Sequence, residues 1–203
     1  MDYEKFFEFV KSRRSVRKFT DRQVKREQIE RLIEAACWAP SNHNRQGWKF
    51  IVFENRGTIQ TLAAEARRIV SGAVADSSRL NQQAAEELVR FAGGFDSAPV
   101  LILAMHKKSP AVGRSLLSGA TSGLASGEAI STAMACQNLI LAAHAMGLGA
   151  CIMTAPLLAG RLWKSIDDLP LGFEPTCLIA IGYPDEVPQA PYRKKLEHVL
   201  EYR

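Results

Sequence analysis

From residue 129 to residue 160 the chain carries no Asp, Glu, Lys or Arg. A run of that length has to be hidden from water, either in a bilayer or in a protein core. Its composition decides between the two. Ser131, Thr132, Gln137, Asn138 and His144 interrupt the first half, Gly147-Leu148-Gly149 supplies a helix stop, and Pro156 follows the apolar Cys151-Ile152-Met153. We read a buried helix at about 130–146, a glycine turn and a short strand, and not a membrane span. Ala133, Met134, Leu139, Ile140, Leu141 and Ala145 put apolar or small side chains on nearly every face of that helix, so it must be covered on all sides. A chain of 203 residues has few layers with which to do so. Either the helix is the centre of a monomeric fold, or a second copy packs on part of it; a two-fold homodimer is the commonest closed arrangement.

The remaining elements read from periodicity. Residues 2–12 form a short helix, and 26–37 an amphipathic one in which Ile29, Leu32, Ile33 and Ala36 recur at helical spacing before Pro40. Residues 49–53 read as a strand, and 58–70 and 82–92 as helices, the first ending at Ser71-Gly72. Residues 99–105 (PVLILAM) and 176–181 (TCLIAI) are continuous apolar runs of the kind that make buried strands. The class is α+β, with helices around a small central sheet, in one domain spanning 1–203. Serine, glycine and alanine dominate 109–127, which reads as a mobile lid.

Composition removes several function classes. A net charge of +5 permits nucleic-acid binding, but the basic residues are spread along the chain without any zinc, homeodomain or RNA-binding motif. Cys37, Cys136, Cys151 and Cys177 lack CxxC spacing and sit among apolar neighbours, so they read as buried free thiols in a reducing compartment. The first residues contain acids and no apolar core of a secretory signal, which leaves the cytoplasm as the default. No GxGxxG follows a strand, and Walker, HExxH and GxSxG motifs are absent. The four histidines are scattered without ligand spacing and read as structural; His43 stands apart because it lies within the PSNHN turn.

Two segments carry chemistry. Arg13-Arg14-Ser15-Val16-Arg17 packs three arginines and a serine into five residues, and guanidinium forks match phosphate oxygens. The plain alternative is a solvated basic run. Against it, the segment is short, is interleaved with Val16 and Phe19, and follows the apolar Phe6, Phe7, Phe9 and Val10. The second segment, from Pro40 to Trp48 (PSNHNRQGW), offers amides and a hydroxyl to a flat polar ligand.

RRSVRKF, then the A-P-S-x-x-N-x-Q-x-W pattern of Ala39 to Trp48, the strand KFIVF, the helix GEAISTAMACQNLILAAHAMGLGACIM, the strand and turn IAIGYPDE and the closing PYRKKLE resemble the FMN-dependent nitroreductase family in order and spacing. The resemblance implies a nitroreductase-like fold, a mainly antiparallel sheet flanked by helices, and an intertwined homodimer with FMN at the subunit interface. By the same resemblance Arg13 and Ser15, with Arg14, bind phosphate and ribityl groups and Arg17 reaches the pyrimidine edge. Pro40, Ser41, Asn42 and Asn44, with Gln46, form a turn supplied by the other subunit. Met153, Thr154 and Ala155 present backbone to the flavin N5, and Arg193 returns to the phosphate, supported by Lys194. Two positions depart from the family pattern. Gly47 stands where a proline is usual before Trp48, and Pro191 where many members carry a second basic residue.

A flavin carries its own redox chemistry, which accounts for the missing acid–base constellation. The implied activity is reduction of nitroaromatics, quinones or similar electron-poor acceptors by NAD(P)H, donor and acceptor binding in turn. Open alternatives are a related flavin enzyme (dehalogenase, enone reductase or flavin-fragmenting enzyme), a non-catalytic FMN-binding redox protein, and a basic interaction protein without flavin. Residues 109–127 carry no charged trio to clamp a zwitterion, which speaks against an iodotyrosine-type role.

Overall fold

In the computed structural model, which describes residues 2–75, 81–108, 127–164, 166 and 169–203, four strands form one antiparallel sheet in the order β1-β2-β4-β3. β1 is Trp48–Phe53, β2 Val100–Lys107, β3 Gly149–Met153 and β4 Phe173–Gly182. The helices are α1 (Tyr3–Ser12), α2 (Arg26–Cys37), α3 (Arg56–Ala75), α4 (Gln82–Ala92), α5 (Gly127–Ala145) and the short α6 (Gly160–Lys164).

The central strands are apolar throughout because both faces of the sheet are covered. Leu101, Leu103 and Met105 of β2 and Leu178 and Ala180 of β4 point into a core shared with α3, Phe95 and Trp163. Their neighbours Val100, Ile102, Ala104, Cys177, Ile179 and Ile181 point the other way, against α2 and α5. The period of two thus survives inside runs that read as unbroken. The register slips by one residue opposite Ala104 and Met105, which pair with Cys177 and Pro175, so Thr176 is the extra residue of a bulge in β4.

α5 is the element the sequence constrains most. It starts at Gly127, three residues earlier than expected, and buries Glu128, Ser131, Thr132, Ala135, Cys136, Leu139, Ile140 and Ala143. Its opposite side is bare: Ile130 is 50% and Met134 37% exposed, Ala133 lies open between them, and Leu141, two turns on past the exposed polar Gln137, is half-buried. These positions recur at helical spacing and make one apolar stripe. Among the described residues no helix is long and apolar enough to cross a membrane.

Two expectations are corrected. α3 does not stop at Ser71-Gly72 but continues to Ala75. A glycine in a helix interior costs about 1 kcal/mol, and burial of Ile59, Leu62, Ala63, Ala66 and Val70 on one face outweighs it. Cys37 is exposed, because the buried side of α2 is fixed by Ile29, Leu32 and Ala36; the other three cysteines are buried, with Cys136 and Cys177 sulfurs 3.6 Å apart. The lid proposed for 109–127 lies outside the described residues except for Gly127, which opens α5.

One buried polar atom on α5 makes a stability prediction. Thr132 Oγ1 has no hydrogen-bond partner among the described residues, and an unsatisfied buried hydroxyl costs about 1–3 kcal/mol. Thr132→Val keeps the shape and removes the hydroxyl. It is expected to raise the unfolding free energy by about 1 kcal/mol, read as a higher denaturant midpoint at unchanged m-value; a drop in midpoint contradicts the assignment.

Candidate functional site

The arginine segment is placed by contacts at both of its ends. At the end of α1, Ser12 Oγ lies within hydrogen-bond distance of both Phe9 O (2.9 Å) and His144 Nε2 of α5 (2.7 Å). The Phe9 ring packs on the same imidazole at 5.0 Å between centroids. Beyond α1 the chain runs extended beside β3 and past the end of β4. Val16 N donates to Ala150 O (3.1 Å), Thr20 N to Tyr183 O (2.9 Å) and Asp185 N to Lys18 O (2.9 Å). A Cβ at Gly149 would stand 2.8 Å from the Val16 side chain, so only glycine lets the segment lie this close to β3.

The segment after β4 then turns back across it. Glu186 Oε1 accepts from the backbone N–H groups of Arg17 (2.6 Å) and Lys18 (3.1 Å). Arg13, Arg14, Ser15 and Arg17 consequently face Gln189, Pro191 and Arg193 across a cleft of about 260 Å³. Residues far apart in the chain converge here. Lys194, the neighbour of Arg193, is exposed and does not line the cleft.

The cleft is lined by four arginines and no carboxylate, and the one acid held beside it, Glu186, is bonded to the backbone N–H groups of Arg17 and Lys18. Among the described residues no carboxylate pairs with Arg13, Arg14, Arg17 or Arg193. Burial, then the Arg193 and Arg14 charges, hold the Arg13 guanidinium below the usual arginine range. Like charges gathered in a half-buried cleft are costly unless an anion joins them. The arginines have different local duties: Arg14 folds back to donate to Lys11 O (2.6 Å) and Arg13 O (2.9 Å), capping α1, whereas Arg17 stacks near the Phe91 ring.

His144 links this electrostatic environment to pH. Burial first, then the Arg13 and Arg14 charges, hold its pKa below the ordinary 6.5. Burial also lowers His106, with Glu174 and Glu128 pulling upward. As pH falls below about 6.5 the unfolded chain therefore takes up protons that the folded chain resists, and stability drops with pH. The melting temperature is expected to fall between about pH 7 and 5.5, and to fall less in His144→Gln. An identical profile for the two proteins would rule out His144 as the source.

The turn 40–46 lies at the opposite end of α5. His43, Asn44 and Gln46 all take left-handed backbone angles (φ 51°, 51° and 49°), a conformation that clusters at functional sites. Asn42 N donates to Ser131 Oγ (3.0 Å), Gln46 N to Ser41 Oγ (3.0 Å), and Arg45 pairs with the buried Glu128 at 3.4 Å. Ser131 and His144 are thirteen positions apart on α5, roughly 20 Å at 1.5 Å per residue. Within one chain, then, the turn and the arginine cleft are separate. Met153 ends β3 with its side chain in the core, leaving its backbone, the exposed Thr154 and the half-buried Ala155 at the sheet edge.

Sequence reasoning does not find Gln189, Glu186, Ser131 or Gly127. No spacing rule reports that an acid after β4 will hold a backbone 169 positions earlier. Ser131 reads as one more small residue in an apolar helix.

A model of the nitroreductase family matches residues 10–183. The chain belongs to the nitroreductase family. Its relatives include a protein of Methanothermobacter thermautotrophicus provisionally named NADH dehydrogenase/NAD(P)H nitroreductase, 27% identical over 89% of this chain and 78% of that one. Another is an iodotyrosine deiodinase of Haliscomenobacter hydrossis, 27% identical over 92% of this chain and 82% of its own length. Among solved structures, a BluB-like flavoprotein of Clostridium difficile superposes with a TM-score of 0.82 over 100% of this chain and 99% of that one at 22% identity. A nitroreductase with bound FMN from Desulfitobacterium hafniense gives 0.74 over 100% of both chains, also at 22%. Both structures share the nitroreductase fold with this chain.

Proposed function

We propose that this member of the nitroreductase family is an FMN-dependent oxidoreductase that passes electrons from NAD(P)H to a nitroaromatic, quinone or similar electron-poor acceptor, the two substrates binding in turn. The observation that carries the reading is the cleft of Arg13, Arg14, Arg17 and Arg193, whose guanidinium groups have no carboxylate partner among the described residues. Its charge suits a phosphate monoester dianion, and the FMN bound by the Desulfitobacterium hafniense relative has such a group.

Bound FMN would supply the electron transfer itself. The chain's part is to hold and orient. Arg13 and Arg193 grip the phosphate, Ser15 and Arg14 face the ribityl chain, and Arg17 places fixed positive charge at the pyrimidine edge, where it favours electron acceptance. Lys194 adds charge at the rim. The backbone of Met153, Thr154 and Ala155 lines the reactive edge of the ring.

The turn containing Pro40, Ser41, Asn42, Asn44 and Gln46 is supplied by a second copy. Two features support that arrangement: the bare apolar stripe of Ile130, Ala133 and Met134 on α5, and the placement of cleft and turn near opposite ends of the same helix. A two-fold axis across the stripe sets the helices antiparallel and brings each turn to the other chain's cleft.

Turnover of the flavin-loaded protein with NADH or NADPH, against a nitroaromatic, a quinone, an enone and 3-iodotyrosine, tests the reading. Parallel double-reciprocal lines with an electron-poor acceptor are expected. Oxidation of neither nicotinamide would leave a flavin-binding protein without this activity. Reductive deiodination is the second reading, favoured by the iodotyrosine deiodinases among the relatives. A preference for iodotyrosine in the same panel would select it.

A further inference from the structure

A turn with three non-glycine residues in the left-handed region has to be held by its surroundings. Asparagine and histidine enter that region more readily than other residues; glutamine has no such preference. Internal bonds fix the shape: Asn44 N to Ser41 O (2.9 Å), Arg45 N to Asn42 O (3.1 Å) and Gln46 N to Ser41 Oγ (3.0 Å). They do not fix where the turn stands.

Its location is set from outside. At the exit, Lys107 N donates to Gly47 O (2.7 Å), tying the turn to the end of β2. At the entry, Asn42 N donates to Ser131 Oγ (3.0 Å). Ser131 is 2% exposed and gives its single hydroxyl proton to Gly127 O (2.6 Å), so it meets Asn42 only as an acceptor. The Asn42 side chain occupies the space over Gly127: a Cβ there would lie 2.8 Å from Asn42 Nδ2 and 3.1 Å from Cγ. Backbone and side chain of Asn42 are thus both seated on the N-terminal end of α5.

We propose that Ser131 and Gly127 are positioning residues that fix where Asn42 and Asn44 stand against the flavin ring, an inference that rests on the flavin reading. Neither residue lines the arginine cleft. Their influence runs through the turn, at the ring end of the ligand. Displacing the turn therefore weakens FMN and riboflavin alike, whereas losing an arginine of the cleft weakens only the ligand that has a phosphate.

The test compares Gly127→Ala and Ser131→Ala with wild type. Gly127 is the first residue of α5, where the helix-interior penalty of glycine does not apply, so Gly127→Ala should leave the melting temperature of flavin-free protein near wild type while lowering flavin affinity. A purely structural role gives no such split. Dissociation constants for FMN and riboflavin are read from flavin fluorescence released on diluting loaded protein. Both variants are expected to weaken both ligands about five- to tenfold, the scale of one lost hydrogen bond, with the KM for the acceptor rising more than kcat falls. Wild-type affinity for both flavins in Gly127→Ala overturns the proposal and leaves the flavin reading standing. A loss confined to FMN overturns it as well. If wild type binds neither flavin, both readings fall together. Should Ser131→Ala fail to fold, Gly127→Ala decides alone.

Discussion

Arg13→Ala and Arg193→Ala are each expected to weaken FMN binding by tenfold to a hundredfold or more while leaving riboflavin affinity near wild type. Hydrogen bonds to charged groups are worth about 1.5–3 kcal/mol each, and about 1.4 kcal/mol is a factor of ten. The two side chains reach one cleft from opposite ends of the sequence, and burial with mutual repulsion already raises the energy of Arg13 in the ligand-free protein. An anion relieves that repulsion, so FMN should also raise the melting temperature of wild type by mass action, and less so in either variant. Arg14 supplies an internal contrast. Its guanidinium caps α1 through Lys11 O and Arg13 O, so Arg14→Ala should cost stability of the N-terminal helix and affect FMN less than Arg13→Ala does. Equal losses of FMN and riboflavin in the Arg13 and Arg193 variants would return the basic segment to a structural role.

Met134→Glu and Ala133→Glu are expected to convert a dimer into a monomer that has lost its flavin. Both positions are exposed in the isolated chain, so a charge there has no reason to harm the fold of one subunit. In a two-fold interface the same charge is buried twice against apolar surface, at a cost of several kcal/mol. Sedimentation velocity at micromolar protein should give wild type as a dimer and each variant as a folded monomer, and the monomer should be colourless because each cleft then lacks the turn 40–46 of a second copy. A wild-type monomer that keeps FMN, or variants that remain yellow dimers, would contradict the interface.

How much of this was legible in the sequence differs between fold and site. The sheet and most helices were, because strands covered on both faces leave apolar runs and amphipathic helices leave a period. α3 shows the limit: Ser71-Gly72 is a local stop signal, and five buried side chains on one face overrule it. Cys37 shows another, since neighbours in sequence do not say which side of a helix is covered. Within the candidate site, Arg13, Arg14, Ser15, Arg17 and Arg193 meet in one cleft, a convergence from opposite ends of the chain that no local pattern reports. The left-handed geometry of the 41–46 turn and its seat on Ser131 and Gly127 were not legible. They depend on the distance between a loop and a helix 85 or more residues later, and a serine in an apolar helix carries no sign of that contact.

The central claim is that the arginine cleft holds a single-phosphate flavin, and the flavin released from the purified protein tests it most directly. Denaturing the protein and separating the supernatant by chromatography should yield FMN, approaching one per chain after reconstitution with excess FMN. Release of FAD, or no retained flavin after that reconstitution, would contradict the account.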